Sequence, residues 1–248
     1  AGSDSRRVPI VVGTSGATTY LYNEDSTSFE FDETNLFRAN KSPGFDLYEG
    51  GQRLNVGGRA TVNYDDGRGG SVLVGRSFRS EFDPLLPARS GLQTQSSDWI
   101  VAATVTPVRG VNAFVRTRYA PELADNKLRR IEVGVDAARS FASGSARYIK
   151  DQQDAGGNPL ETFEMRGQLS LTKHWSLTAY GQNDLEAGVW RRRDLGVVYN
   201  NDCIRIDVIY QNEDRYSQVS TGGLKLKSDE SITFSLSFAT LGDTGYNN

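Results

Sequence analysis

The chain has 248 residues, a net charge of −3 and only 37% apolar residues, with a mean hydropathy of −0.50. No apolar run approaches the ~18 residues of a membrane-spanning helix, and no basic face of the kind that binds nucleic acid is present. Gly, Tyr and Phe are abundant (26, 11 and 11), whereas Met, His and Cys occur once each. That composition fits strands that alternate apolar and polar residues and average out as hydrophilic.

The first 48 residues differ from the rest. Ala1–Arg7 is polar, so no signal peptide is expected there and the chain reads as a mature or truncated product. Val8–Val12 reads as a short strand end, and residues 23–48 are acidic and irregular with interspersed aromatics. The expected organisation is therefore an irregular segment over 1–48, outside or folded into a lumen, followed by strands over 49–248.

From Glu49 onward the period is 2, the mark of two-faced strands. Leu54, Val56, Gly58, Ala60, Val62 and Tyr64 oppose Asn55, Gly57, Arg59, Thr61 and Asn63. Strand 69–79 is the least regular, with Arg76 on its apolar face. Ile131, Val133, Val135 and Ala137 oppose Glu132 and Asp136. Phe163, Met165, Gly167, Leu169 and Leu171 oppose Glu164, Arg166, Gln168 and Ser170. Ile204, Ile206, Val208 and Tyr210 oppose Arg205, Asp207 and Ile209. Ile232, Phe234, Leu236 and Phe238 oppose Thr233, Ser235 and Ser237. About eleven strands are predicted, near 51–64, 69–79, 98–107, 111–120, 128–139, 142–150, 161–172, 174–184, 190–200, 203–213 and 228–240. Their lengths suit tilted membrane-crossing strands.

Short turns at 65–68, 108–110, 140–141, 173 and 201–202 alternate with longer loops at 80–97, 121–127, 151–160, 185–189 and 214–227. Outer-membrane barrels join their strands by short periplasmic turns and longer external loops, so the pattern puts the C-terminal end of the last strand in the periplasm. The fold class is an antiparallel transmembrane β-barrel, of which this chain supplies a part. An odd strand count and the cost of an open edge in lipid both require further strands to close it. The polar positions Arg59, Arg116, Arg118, Glu132, Arg166, Arg205 and Asp207 are expected to face a hydrated lumen.

Little supports catalysis. His174 is the only histidine and lies at a predicted turn beside Trp175, as an interfacial residue would, so neither a metal site nor a His-based triad is expected. No cofactor is expected. Cys203 is either an incidental thiol or half of a disulfide to a part of the protein outside this chain, since a lone cysteine has no partner within it.

Several segments carry a family resemblance. Asn23-Glu24-Asp25-Ser26, Phe29-Glu30-Phe31-Asp32, Thr34-Asn35-Leu36-Phe37, Gly44-Phe45-Asp46 and Glu49-Gly50-Gly51-Gln52-Arg53 lead into the strand Arg53–Tyr64. Gly75-Arg76-Ser77-Phe78-Arg79 precedes a long loop ending at Ser97-Asp98. Leu195–Asp202, Cys203, Arg205–Tyr210 and Ala239-Thr240-Leu241-Gly242 follow. In order and spacing these resemble the C-terminal barrel portion of the LptD family of lipopolysaccharide-assembly proteins. The family's periplasmic β-jellyroll and earlier barrel strands are not in this sequence, and Asp202-Cys203 stands where many members have two adjacent cysteines.

The resemblance implies a non-enzymatic translocon in the outer membrane of a Gram-negative bacterium. It implies lipopolysaccharide as cargo, the lipoprotein LptE as barrel plug, a periplasmic bridge protein of the same pathway as partner, and contact with membrane lipid. It further implies a disulfide from Cys203 to the periplasmic domain. Ile232, Thr233, Phe234, Ser235, Leu236, Ser237 and Phe238 would then line a lateral gate between the first and last strands. A general porin or a barrel enzyme is the alternative.

Overall fold

The computed structural model describes residues 10–15, 18–22, 31–41, 51–81, 90–92, 94–123, 127–152, 159–201, 203–218 and 224–238. Parts of the acidic segment (23–30 and 42–48), loop residues 82–89, Asp202 and the chain end from Ala239 lie outside this set.

Two short strands open the chain: β1 (Ile10–Ser15) and β2 (Thr18–Tyr22) pair antiparallel, with a register shift between Val11 and Gly13. Here the expected irregular segment contains a hairpin. Eleven strands follow: β3 (Arg53–Asn63), β4 (Gly69–Arg79), β5 (Trp99–Val108), β6 (Val111–Tyr119), β7 (Leu128–Ala138), β8 (Ala142–Asp151), β9 (Leu160–Ser170), β10 (Trp175–Asp184), β11 (Val189–Asn200), β12 (Ile204–Gln218) and β13 (Leu224–Phe238). They form one antiparallel sheet in strict chain order, with β3 and β13 as its edges. The sheet is not closed on itself by these strands, as befits part of a barrel.

Each predicted strand is present. The main departure is at the end, where β12 and β13 run for 15 residues each and stay paired from Ile204↔Phe238 to Gln218↔Leu224. The expected loop over 214–227 is therefore mostly strand. The connection after β10 is likewise a turn of residues 185–188, no longer than the one over 171–174.

Glycine makes the tight turns. Gly67, at φ 83°, closes the connection from β3 to β4, where its N–H donates to the Tyr64 carbonyl at 3.0 Å. Gly110, at φ 84°, turns β5 into β6. Both conformations are costly for a residue with a Cβ.

Two compact units are distinguished: Ala1–Val105 with Phe114–Glu132 and Lys150–Leu160, and Thr106–Ala113 with Val133–Ile149 and Glu161–Asn248. Each has the reverse of a water-soluble arrangement. In the first unit Val72, Val74 and Phe78 are exposed, while Leu73, Ser77 and Arg79 on the opposite face of the strand are buried. In the second, Leu195 is 64% exposed beside Asp194 at 8%. A contiguous exposed apolar face of this extent is unfavourable in water and belongs against lipid.

Candidate functional site

In the first unit the polar face holds a network of charges. Arg118 on β6 is 4% exposed and approaches Asp98 at 3.7 Å and Asp151 at 4.0 Å. Arg129 reaches Asp98 at 3.0 Å, and Arg130 reaches Asp151 at 3.0 Å and Glu132 at 3.5 Å. Arg116 joins Glu132 at 3.4 Å to Glu33 at 2.6 Å. Buried charges are tolerable only when paired in this way. Asp98, which precedes β5, has its carboxyl pushed above the ordinary value by burial, against the pull of Arg129 and Arg118.

Glu33 brings in the segment 31–41. Its turn is built locally: the Asp32 side chain accepts from the Thr34 N–H at 2.8 Å and from its hydroxyl at 2.7 Å, and the Leu36 N–H donates to the Asp32 carbonyl at 3.1 Å. Phe31 and Leu36 then bury with Leu73, Leu92 and Ile100 in one apolar cluster. The polar face thus carries an apolar anchor for the loop as well as ion pairs.

Arg76, whose place on the apolar face broke the alternation, lies between two aromatics, 5.5 Å from the ring centres of Phe78 and Trp99. Its guanidinium also donates to the Ser97 carbonyl at 2.7 Å and pairs with Glu122. An arginine at the rim of an apolar face thus has its charge met by a carbonyl and a carboxylate while it packs against aromatic rings.

In the second unit the polar face forms a hollow of about 670 Å³, floored by small residues such as Gly110, Ala138 and Gly144. Arg166 and Arg192 flank the Tyr180 ring at 5.5 and 5.3 Å, and Asp194 holds Arg192 at 2.6 Å. On the apolar side, Trp175 and Tyr199 are cross-strand partners with ring centres 5.0 Å apart, and His174 stands 6.0 Å from Tyr199 with Nδ1 3.0 Å from the Asn200 carbonyl. An aromatic cluster beside a turn is the girdle expected where a strand leaves lipid.

Of the residues singled out from the sequence, Arg116, Arg118 and Glu132 come together in the first network. Arg205 and Asp207 pair with each other at 2.9 Å. Arg166 lines the hollow, and Arg59 is exposed opposite Leu73. Ile232–Phe238 belongs to the edge strand β13, and each of these seven residues is exposed. Cys203 is exposed at the turn before β12, its N–H donating to the Asn201 side chain at 3.0 Å. Asp98, Asp151, Arg129, Arg130 and Glu33 were missed. For Asp98, Asp151, Arg129 and Arg130 the one sequence signal is the placing of charged residues at strand ends beside the longer loops; Glu33, in the turn of segment 31–41, has none.

A meander of two-faced strands with charges on one side, an exposed apolar surface on the other and aromatics at the turns defines an outer-membrane β-barrel protein, here represented by part of its wall. The family model LptD, LPS transport system D, matches residues 7–233. The chain belongs to that family, whose members act in lipopolysaccharide transport. No curated protein matches the sequence.

Proposed function

We infer that this chain is the closing part of the barrel wall of a lipopolysaccharide translocon in the outer membrane of a Gram-negative bacterium. The charged face borders the lumen, the apolar face meets lipid, and the lipid enters the outer leaflet between β13 and the first strand of the complete barrel. The observation that carries this reading is β13 itself. It is fully paired to β12 on one side, ends the sheet on the other, and has Ile232, Phe234, Leu236 and Phe238 exposed. An edge in lipid leaves backbone groups unsatisfied at several kcal/mol each, so β13 requires a partner strand, and the junction with it is the natural place for a wall to open.

The lumen would hold the plug lipoprotein LptE, the periplasmic end would meet the bridge protein of the pathway, and Cys203 would tie the wall to the periplasmic domain. The test is a disulfide across the junction, formed in the complete protein between a cysteine at Ser235 and one on the facing first strand. Surface lipopolysaccharide should fall sharply on oxidation while the barrel keeps its folded electrophoretic mobility. Unimpaired delivery with the junction locked would remove the gate.

A further inference from the structure

The apolar side of β9 to β13 contains a depression of about 700 Å³. Its shape follows from register. Gly167 pairs with Ala179, Ala179 with Leu195, Leu195 with Tyr210, and Tyr210 with Ile232, giving one row across five strands. The row below is uniformly large: Leu169, Leu177, Val197, Val208 and Phe234. The upper row is small at one end and large at the other. A Cβ on Gly167 would meet no heavy atom within 4 Å, so the space over this glycine is open. One step further along β10, Gly181 is roofed instead, with Trp190 and Met165 at 3.0 and 3.1 Å from where its Cβ would stand. The result is a trough floored by Gly167 and Ala179, walled by leucines, roofed on one side and reaching Ile232 on the edge strand.

In the next row, on the side away from the short turns, Met165 and Gly181 keep the β9–β10 end apolar, while the β11–β13 end is polar. Arg193 pairs with Asn212 and Asn212 with Glu230. The Arg193 guanidinium donates to Asn212 Oδ1 at 2.7 Å, and Asn212 Nδ2 donates to Glu230 Oε1 at 3.4 Å. Apolar surface gives way to hydrogen-bonding groups within one row, about 7 Å along the strands. A trough of this volume is within the range of small-molecule sites, and its two-part lining suits an amphiphile.

We propose that the trough binds an acyl chain of lipopolysaccharide beside the β13 edge, with the saccharide head against Arg193, Asn212 and Glu230. The inference rests on the reading of β13 as the lip of the exit. The saccharide is favoured over a phospholipid headgroup because the polar row offers a guanidinium, an amide and a carboxylate together. That mixture of donors and acceptors matches a hydroxyl-rich surface better than a single phosphate.

The experiment uses the full-length protein in cells, with a photo-cross-linking residue at Ala179 and, as reference positions, at Val72 on the apolar face of the first unit and at Ser235. Lipopolysaccharide adducts at 179 should exceed those at 72 several-fold. Gly167→Leu, or the milder Gly167→Ala, should lower the adduct at 179, whereas Gly58→Leu, which also projects into open space on the first unit's apolar face, should not. Phospholipid adducts at 179 in the proportion found at 72, or a yield unmoved by filling Gly167, overturn the trough. Adducts at 235 without adducts at 179 sink the trough alone. Absence at both positions sinks the exit reading with it.

Discussion

Leu36 rests on the bare backbone of Gly75. A Cβ on Gly75 would collide with Leu36 Cδ2, and Gly57, the cross-strand partner of Gly75, lies beneath Phe37, whose Cζ is 2.9 Å from where a Gly57 Cβ would stand. Two facing glycines thus make a socket in the polar face, and Leu36 fills it with none of its surface exposed.

Filling the socket should undock the loop. Gly75→Val is expected to expose segment 31–41 to limited proteolysis in the full-length protein, and Leu36→Ala should do the same at a cost of about 2–5 kcal/mol. Gly58→Val, next to the socket but facing away from it, should leave the segment protected. Continued protection in Gly75→Val would mean that the loop is held by something else.

The second expectation concerns pH. The Asp98 carboxyl is held above the ordinary aspartate value of 3.8 because burial outweighs the pull of Arg129, Arg118 and Arg76. A carboxyl with a raised folded value binds its proton more readily folded than unfolded. Its contribution to stability is therefore least favourable above the raised value and improves as pH falls toward 3.8, opposite in sign to that of a carboxylate whose value is depressed. In denaturant unfolding across an acidic pH series, the stability difference between the wild type and Asp98→Asn should carry this slope. Superimposable profiles would contradict the assignment.

The two faces of β13 provide a third. An arginine on the lipid face near the midplane costs about 2–4 kcal/mol, whereas a lumen position tolerates it. Phe234→Arg should impair assembly, read as loss of the heat-modifiable folded band, and Ser235→Arg should assemble normally. Equal tolerance at the two positions would withdraw the facing assignment.

Cys203 supplies the fourth. It is exposed at a turn where a partner thiol has access. In the complete protein it should be oxidised, so Cys203→Ser should change the mobility on a non-reducing gel. Alkylation of Cys203 in mature, unreduced protein would rule the bond out.

The strands were readable because one face of each must be apolar, and period 2 survives single exceptions such as Arg76. The upper parts of β12 and β13 were not. Asn212, Glu213 and Asp214 beside Glu230, Asp229 and Ser228 are polar on both faces, and a strand beyond the apolar region needs no alternation. Arg205 and Asp207 were legible as same-face neighbours two apart on one strand, and the structure adds that they form an ion pair. The link from Arg118 to Asp98 and Asp151 was not, because it joins residues far apart in sequence and requires a register that no local pattern contains. The socket was hidden for the same reason: Gly57 and Gly75 mean little until they are known to face one another.

The strict order of the sheet bears on how the wall is made. Every strand from β3 to β13 pairs only with its neighbours in sequence, so each hairpin closes only the connection between adjacent strands, and even for the long 80–98 connection the entropic cost grows only slowly with length. Growth can proceed one hairpin at a time, with no slow search for a distant partner. The docking of Leu36 on Gly75 spans a longer stretch of chain and cannot precede the β3–β4 pairing that brings Gly57 and Gly75 together. It therefore falls after that pairing, so the arrival of the loop would report in kinetic experiments that this part of the wall is complete.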